Sequence, residues 1–318
     1  MTSPPFSVLT DQVFKQFSQK SPQLPNQLHR LFHGRGRCFS GLEQITVDYV
    51  AGHILVSLYK TLPNDQQDQL LKTLLNWPHR TEWQDYSVKS ILIQYRYQDR
   101  NPTELIWGKL DPNPVAYEND LAFQMSLGRN QNTGLFLDMR YGRRWVKENS
   151  QDKSVLNLFS YTCGFSVAAL SGGAKSVINF DMAKAALNRG RDNHKLNQQD
   201  MTKVKFFAHD ILKSWGKINK YGPYDLIIID PPSFQKGSFA LTKDYQKILR
   251  RLPDLITPSG QVLACANDPS IDCQFVINAM HENATDIEFQ QRLQNPPEFP
   301  DIDEESSLKA LIFKKKTN

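Results

Sequence analysis

The chain has 318 residues, of which 40% are hydrophobic and 22% charged, with a formal net charge of +5. This length allows a full hydrophobic core and favours about two domains. No apolar run approaches the roughly 18 residues of a membrane span, and the first residues lack the basic-then-apolar order of a signal peptide, so we expect a cytoplasmic protein without membrane partners.

The four cysteines form no CxxC pair, so no zinc site or disulfide framework is indicated. Basic residues occur in clusters that could form one positive face for nucleic acid, although solvated helix faces would give the same pattern. The clusters are Arg30, Arg35 and Arg37; Arg140, Arg143, Arg144 and Lys147; Lys243, Lys247, Arg250 and Arg251; and 314–316.

The first 110 residues predict an arm and a small domain. Residues 1–28 are rich in Gln, Ser and Pro, which favours an N-terminal arm. Residues 29–110 predict a small α+β domain, with a hairpin, a helix that begins at a proline and two further strands. These elements are expected at 45–50 and 54–58, from Pro63, near 91–96 and at 104–107. The prolines within 111–114 mark the junction to the next domain.

The remaining chain, 111–318, reads as one α/β domain in which strands and helices alternate after residue 150. The predicted strands lie at 155–159, 176–181, 204–208, 225–230, 261–266, 285–290 and 308–313. The predicted helices lie at 165–171, 182–197 and 240–256, with weak helical character at 210–220. Such alternation is typical of a parallel, doubly wound sheet.

The turn after the first of these strands points to a nucleoside. A dinucleotide fingerprint would place three glycines here to approach a pyrophosphate, but 157–165 contains only Gly164, beside bulky Phe159 and Tyr161. The chain also has no GxxxxGK[ST] motif, which excludes a P-loop. A ligand without a pyrophosphate therefore fits better, and an NAD-dependent dehydrogenase is disfavoured.

Acidic residues follow three of the strands. Asp181 ends the second strand, where it can accept hydrogen bonds from ribose hydroxyls, and Asp210 follows the third, where it can meet an adenine edge. Asp230 follows the fourth strand and begins the run Asp-Pro-Pro-Ser-Phe. Each acid alone is more often a helix cap, but together they predict a site for a nucleoside and for the group that is modified.

The run from Asp230 to Phe234 predicts a second ligand beside the nucleoside. Pro231 and Pro232 cannot extend the sheet and must turn the chain away from it. A carboxylate beside an aromatic ring suits a flat, amine-bearing nucleobase, hydrogen-bonded at its edge and stacked on its face. The alternative is a buried strand that ends in a proline-rich loop.

These motifs in order resemble the class I S-adenosylmethionine-dependent methyltransferases, and specifically the bacterial large-subunit ribosomal RNA methyltransferase family that contains the I enzyme and the K half of the K/L enzyme. The carrying segments are 133–140, 155–165, Asp181 and 230–234. The resemblance implies a Rossmann-like sheet of seven strands with the last one antiparallel, a hairpin at 120–140 that leads into it, and RNA as substrate. Whether the chain is a monomer or a homodimer stays open.

The resemblance also implies the site residues. S-adenosylmethionine would be held around its methionine part by the turn, around its ribose by Asp181 with Met182, and around its adenine by Asp210, while Asp138 and Arg140 close the pocket. The implied cofactor-binding set is Asp138, Arg140, Asn157, Phe159, Ser160, Tyr161, Thr162, Gly164, Asp181, Met182, Asp210 and Asp230. The family usually has glycine where this chain has Cys163, so the turn is more crowded.

The atom that receives the methyl group is predicted from the residues near the fourth and fifth strands. Cytosine C5 methylators of this family place a nucleophilic cysteine in a slot that here holds Asn267, which resembles the guanine N7 enzyme. The hypothesis is therefore methylation of a ring nitrogen by Asp230, Pro231, Pro232, Phe234 and Asn267, without a covalent intermediate. Ser233 between the second proline and the aromatic residue weakens an exocyclic-amine target.

Several alternatives stay open at this point. Cys265 lies two residues before Asn267 and could be a nucleophile for cytosine C5, although a cysteine inside a strand is usually inert. The enzyme could also modify a small molecule or a protein. From a different class, the chain could be an RNA-binding protein without catalytic turnover.

Overall fold

The computed structural model describes residues 6–19, 27–128, 131–235 and 239–316. The chain divides into two compact units, Met1–Leu137 with Pro297–Ile302, and Asp138–Pro296 with Asp303–Asn318. Within the described residues, no helix is long and apolar enough to cross a membrane.

The first unit is built on a sheet of five strands in the order β1-β2-β3-β4-β5, in which only β3 and β4 run parallel. A separate hairpin follows, formed by β6 and β7. The elements are α1 Phe6–Gln19, β1 Leu28–His33, β2 Ile45–Val50, β3 His53–Leu58, α2 Asn64–Asn76, β4 Ser90–Tyr95, β5 Thr103–Gly108, β6 Val115–Glu118 and β7 Leu121–Gln124.

Helix α1 is part of this unit, whereas the sequence analysis expected an arm over 1–28. Its apolar side chains recur at helical spacing and are buried in the core of the first unit, among them Leu9, Val13 and Phe14. The indole of Trp77 donates a 3.0 Å hydrogen bond to the Thr10 hydroxyl, which fixes the helix against the segment after α2. The Gln and Ser residues that suggested an arm lie among these apolar positions. Residues 1–5 and 20–26 of the expected arm lie outside the described part of the chain.

The hairpin before the second unit begins earlier than expected. It joins β6 to β7 through Asn119 and Asp120, both with positive φ, as two-residue hairpin turns require. The predicted hairpin over 120–140 is therefore shifted toward the N-terminus, and its residues 129–130 lie outside the described residues. The first unit extends to Leu137, beyond the predicted boundary after residue 110.

The second unit alternates strands and helices, as the sequence predicts. Its elements are α3 Arg140–Glu148, β8 Ser154–Leu158, α4 Gly164–Ser171, β9 Ser176–Asp181, α5 Lys184–Leu196, β10 Val204–Ala208, α6 Trp215–Tyr221, β11 Tyr224–Ile229, β12 Phe234–Gln235, β13 Phe239–Ala240, α7 Leu241–Leu249, α8 Leu252–Leu255, β14 Ile256–Ala266, α9 Cys273–Asn283, β15 Ile287–Arg292 and β16 Lys309–Lys315.

The seven-stranded sheet has the order β10-β9-β8-β11-β14-β16-β15. Strands β10, β9, β8, β11 and β14 are parallel, and β16 is antiparallel to both of its neighbours. The predicted fold class is confirmed, including the antiparallel last strand. Helices cover both faces, which is why β11 is almost wholly apolar.

Three helices differ from the prediction. Helices α3 and α9 were not predicted, because the first reads as a basic cluster and the second follows polar loop residues. The single helix expected at 240–256 is divided, because Pro253 in the first turn of the short helix α8 has no N–H to continue α7, and the chain then enters β14.

Candidate functional site

The site lies at the carboxyl ends of the parallel strands of the second unit. Asp181 ends β9, Asp210 follows β10 by two residues, and Asp230 directly follows β11. These strands lie on either side of β8, so the three acids surround the turn that leaves β8. In an open α/β sheet this edge is the usual place for a ligand.

The turn from β8 to α4 has an unusual backbone. Phe159, Tyr161 and Cys163 all have positive φ, at 57°, 46° and 64°. Such conformations are costly for residues with side chains and tend to occur at functional sites. Alternation of left-handed residues folds the turn tightly over the amino end of α4, which begins at Gly164.

The turn is held by hydrogen bonds from β9 and α5. Ser160 donates from its backbone N–H to the Phe180 carbonyl at 3.1 Å and from its hydroxyl to the same oxygen at 3.2 Å. Asn193 donates from its side-chain amide to the Thr162 carbonyl at 3.0 Å. Ser160 and Thr162 are both buried, so these bonds fix the turn from below.

Cys163 occupies its place because α5 has a glycine opposite it. A Cβ on Gly190 would lie 2.3 Å from the Cys163 Sγ and 2.9 Å from its Cβ. The thiol is fully buried, and burial raises its pKa above the ordinary value. The extra volume of the cysteine is therefore accommodated by close packing of α5 at Gly190.

Asp181 joins the turn to the start of α5. Its Oδ2 accepts a hydrogen bond from the Tyr161 backbone N–H at 2.8 Å, and its Oδ1 accepts one from the Ala183 N–H at 2.7 Å. Burial raises the pKa of this carboxyl, and the two backbone hydrogen bonds oppose that rise. Each oxygen retains a second lone pair with which it can accept a hydrogen bond from a ribose hydroxyl.

A small cavity of about 20 Å³ lies beside Asp181. It combines two carboxylates with an apolar lining, as a nucleoside site requires. Its walls are Phe159, Asp181, Met182, Asp210, Ile211, Leu212, Gln235 and Phe239. Four of these residues were not predicted from the sequence: Ile211, Leu212, Gln235 and Phe239. Gln235 and Phe239 come from the segment after the Asp-Pro-Pro run and carry no motif of their own.

Asp210 caps a short 3₁₀ turn at the cavity. Its Oδ1 accepts a hydrogen bond from the Leu212 N–H at 3.0 Å, and its Oδ2 lies 3.3 Å from the Lys213 Nζ. The Asp210 carboxylate is therefore both the N-cap of this turn and part of the cavity wall.

Of the predicted cofactor residues, four line the cavity, namely Phe159, Asp181, Met182 and Asp210, and Asn157 is not among them. It is fully buried inside β8, where its amide donates a 2.9 Å hydrogen bond to Asn179 of β9. The chain of polar side chains continues through Ser166 to His194 of α5, and burial lowers the pKa of that histidine to about 4. This buried network ties β8, β9, α4 and α5 together beneath the turn.

Asp230 is partly buried and lies near another acid. Burial and the negative Asp138 raise the pKa of Asp230 to about 7, and Arg143 of α3 opposes that rise. Arg143 is itself buried, although the sequence presented it only as one member of a basic cluster. A carboxyl group in this state can accept or donate a hydrogen bond near neutral pH.

Asn267 lies next to this pair of acids. Its side-chain amide donates a 3.2 Å hydrogen bond to the Asp138 Oδ2, and its backbone carbonyl accepts a 2.8 Å hydrogen bond from the Ser233 hydroxyl. The loops that follow β11 and β14 are therefore connected at the edge of the sheet. Asp138 is near both Asp230 and Asn267, so these three residues form one polar cluster.

The Asp-Pro-Pro run turns away from the sheet as expected. Pro231 is buried and Pro232 exposed, and Phe234 is 70% exposed at the start of β12. An aromatic ring with this exposure has a free face for a flat partner. Arg140, which was predicted to close the cofactor pocket, is the first residue of α3. Its guanidinium lies 5.3 Å from the centre of the Tyr141 ring.

Cys265 lies in the interior of the sheet. It is fully buried, and burial together with Asp230 and Asp138 raises the pKa of its thiol well above the ordinary value. Its backbone carbonyl accepts a 3.1 Å hydrogen bond from the Tyr245 hydroxyl. A buried thiol that resists ionisation is a poor nucleophile.

Comparison with known proteins gives a consistent result. A family model for S-adenosylmethionine-dependent methyltransferases matches residues 29–314. Ribosomal RNA large subunit methyltransferase I of Aeromonas salmonicida is 29% identical over 272 residues, which cover 82% of this chain and 67% of that protein. Ribosomal RNA large subunit methyltransferase K/L of Shewanella loihica is 34% identical over 235 residues, which cover 70% of this chain but 32% of that protein.

A solved structure agrees with the fold. A candidate S-adenosylmethionine-dependent methyltransferase from Streptococcus mutans superimposes with a TM-score of 0.82 at 25% sequence identity, covering 96% of this chain and 79% of that one. The likeness therefore extends over both units of the chain.

Proposed function

The chain belongs to the family of S-adenosylmethionine-dependent methyltransferases, and from this premise we propose that it methylates a base of large-subunit ribosomal RNA. The cofactor follows from the family, which confirms the prediction from sequence. The substrate is proposed because the relatives of types I and K/L carry it in their names. The clustered arginines and the exposed Phe234 beside the Asp-Pro-Pro run support a nucleic acid.

The cavity beside Asp181 supports the proposed cofactor positions. It holds a carboxylate for the ribose and another at the adenine end, and the turn 159–163 has the backbone for the methionine part. The proposed contacts are those of Phe159, Ser160, Tyr161, Thr162, Gly164, Asp181, Met182 and Asp210, with Asp138, Arg140 and Asp230 at the methyl end. We assign Asn157 a supporting role, because its side-chain amide nitrogen donates to Asn179 inside the sheet.

S-adenosylmethionine supplies an electrophilic methyl group on a sulfonium. The residues around it therefore need to align an acceptor atom and exclude water, which is catalysis by orientation. We place the acceptor base beside Asp230 and Asn267, with Pro231 and Pro232 shaping the edge and Phe234 stacked on the face of the flipped base.

Guanine N7 is the acceptor that this arrangement favours. Guanine presents an amino group as donor on one edge and the N7 lone pair on the other. The ionised Asp230 carboxylate can accept a hydrogen bond from that amino group, which leaves N7 free to face the methyl group. N7 carries a lone pair and no hydrogen, so its attack needs no base and no covalent intermediate.

The observation that carries the choice between N7 and cytosine C5 is the state of Cys265. A C5 mechanism needs a thiolate that reaches the substrate, and this thiol is fully buried with its pKa raised. We therefore expect Cys265→Ala to retain methyl transfer within a few-fold of the unmodified enzyme. Loss of transfer by this variant, with S-adenosylmethionine still bound, would support the C5 alternative.

The direct test uses ribosomal RNA from cells that lack this gene. The purified protein and S-adenosylmethionine are added, and the RNA is mapped by mass spectrometry. We expect one methyl group on a guanine, and Asp230→Ala should reduce its formation at least 100-fold. A methyl group on cytosine would overturn the N7 proposal, and no transfer to any ribosomal RNA would overturn the substrate class. Absence of cofactor binding in calorimetry would favour the RNA-binding alternative.

A further inference from the structure

A second cavity lies behind the proposed adenine site. Its volume is about 400 Å³, and it lies between the start of α6 and the end of α7. Its walls are Leu212, Trp215, Lys247, Arg250 and Arg251. Leu212 also lines the cofactor cavity, so the 3₁₀ turn that holds it separates the two cavities.

The chemistry of this cavity is three cations around an indole. The Arg251 guanidinium lies 5.6 Å from the centre of the Trp215 ring. Lys247 is paired with Asp244 at 2.8 Å, whereas neither arginine has an ion pair with a carboxylate among the described residues. The two guanidinium groups therefore retain their positive charge for a ligand.

Arg250 is held in position without being neutralised. Its Nε donates to the Asn283 Oδ1 at 2.7 Å, and its Nη2 donates to the Gln246 Oε1 at 2.9 Å. Both acceptors are uncharged amides, from α9 and α7. The side chain is thus preorganised, which reduces the entropy lost when it binds an anion.

We propose that this cavity binds a stretch of the substrate RNA that flanks the methylated nucleotide, with Arg250 and Arg251 on phosphates and Trp215 against an unpaired base. The inference rests on the proposed RNA substrate. Trp215 is partly exposed. Cationic side chains beside an accessible aromatic face suit single-stranded RNA, because the phosphates meet the charge and a base can stack on the ring. The shared wall at Leu212 places this stretch next to the cofactor cavity.

The test compares RNA binding and methyl transfer by two double variants of the full chain. Arg250→Ala with Arg251→Ala removes both guanidinium groups. The matched control is Lys175→Ala with Lys203→Ala, which removes the same charge from exposed residues just before β9 and β10, at the opposite edge of the sheet. Calorimetry with S-adenosylmethionine checks that both variants remain folded with an intact cofactor site.

We expect the arginine variant to raise the KM for RNA at least tenfold and to leave kcat unchanged. The slope of log Kd against log salt concentration should fall by about 1.4–1.8, as for two lost phosphate contacts. The lysine control should change KM less than twofold. Equal effects of both variants would mean that only overall charge matters, and would overturn the proposal.

Trp215 gives an independent measurement. Trp215→Leu should weaken RNA binding about 5- to 100-fold, whereas Trp215→Phe, which keeps a stacking face, should weaken it less than threefold. Equal affinities for Leu and Phe variants would remove the stacked base from the proposal. If the arginine variant lost binding to ribosomal particles but not to protein-free RNA, an acidic protein surface would replace RNA as the ligand. If no variant and no unmodified protein methylated RNA, the proposed function itself would fail.

Discussion

Asp230 is the residue at which stability and proposed function conflict. Its pKa in the folded chain is about 7, compared with an ordinary value of 3.8. Between these values the folded state binds more protons than the unfolded state, so this carboxyl makes the free energy of unfolding fall as pH rises from about 4 to 7. Above pH 7 its full cost is present, and below pH 4 it is absent.

We therefore expect Asp230→Asn to stabilise the protein at pH 8 and to have little effect at pH 4. The neutral amide keeps the shape without a buried charge, and the gain at pH 8 should be about 2 kcal/mol. Urea unfolding at both pH values measures it. The control Asp68→Asn, on an exposed position of α2, should change stability by less than about 0.5 kcal/mol at either pH. A gain at pH 4 as large as that at pH 8 would contradict the explanation.

Cys163 and Gly190 form a pair whose sizes are matched. Gly190→Ala places a Cβ 2.3 Å from the Cys163 Sγ, so the turn or α5 must move. We expect a loss of about 1–3 kcal/mol in the free energy of unfolding and weaker binding of S-adenosylmethionine. Cys163→Gly in the same chain removes both opposing atoms and suits the positive φ at this position.

The double variant should accordingly recover most of the stability lost by Gly190→Ala. A double-mutant cycle by thermal unfolding and cofactor titration gives the coupling energy, expected at about 1–2 kcal/mol. Additive effects of the two changes would show that the two residues do not constrain one another.

At the scale of elements, α1 contributes to the core of the first unit. The ring centre of Phe14 lies 6.1 Å from that of Trp77 in an edge-to-face arrangement, and the Arg80 guanidinium lies 4.6 Å from the Phe14 ring centre. We expect Phe14→Ala to cost about 3–5 kcal/mol, because it leaves a cavity among aromatic rings. Urea unfolding followed by tryptophan fluorescence measures this cost. An effect below about 1 kcal/mol, similar to that of the exposed control Lys15→Ala, would mean that α1 does not contribute to the core of the first unit.

Elements with one strong period could be predicted from the sequence, and elements with mixed signals could not. The alternation after residue 150 predicted the parallel sheet because β11 and its neighbours are buried on both faces. Helix α3 was missed because Arg143 and its basic neighbours read as surface, whereas the fold buries Arg143 near Asp230. The pairing of β3 with β4 in parallel depends on contacts distant in sequence, which no local pattern records.

The candidate site shows the same division. Acids at strand ends were predicted correctly in position, since the carboxyl ends of parallel strands share one edge of the sheet. The orientation of Asn157 was not predicted correctly. Helices cover both faces of its strand, so the sequence has no alternation of apolar and polar residues that would show which way each side chain points. The positive φ values in the turn also have no sequence signal when the residues are Phe, Tyr and Cys rather than Gly.

At the scale of the whole molecule, the family predicts a specific response to ligand. S-adenosylmethionine at 100 times its Kd should raise the free energy of unfolding by about 2.7 kcal/mol, since it binds the folded state alone. Thermal unfolding with increasing cofactor measures this, with NAD as the matched control because the turn lacks the glycines of a dinucleotide site. Equal shifts with NAD, or none with S-adenosylmethionine, would contradict the assigned cofactor.

The first unit is discontinuous in the chain, because Pro297–Ile302 joins it from between β15 and β16. That short segment contributes contacts within the unit: Asp301 pairs with Arg37 at 3.0 Å, the Ile302 N–H donates to the Gly36 carbonyl at 3.0 Å, and Phe299 lies beside Arg30. A Cβ on Gly36 would meet the Pro300 carbonyl oxygen at 1.7 Å. A chimera of two relatives with one crossover after Leu137 would therefore combine segment 297–302 of one parent with the surface of the other parent that must hold it. Recombination of whole units needs three crossovers, after residues 137, 296 and 302, so that the six-residue segment stays with the surface that holds it.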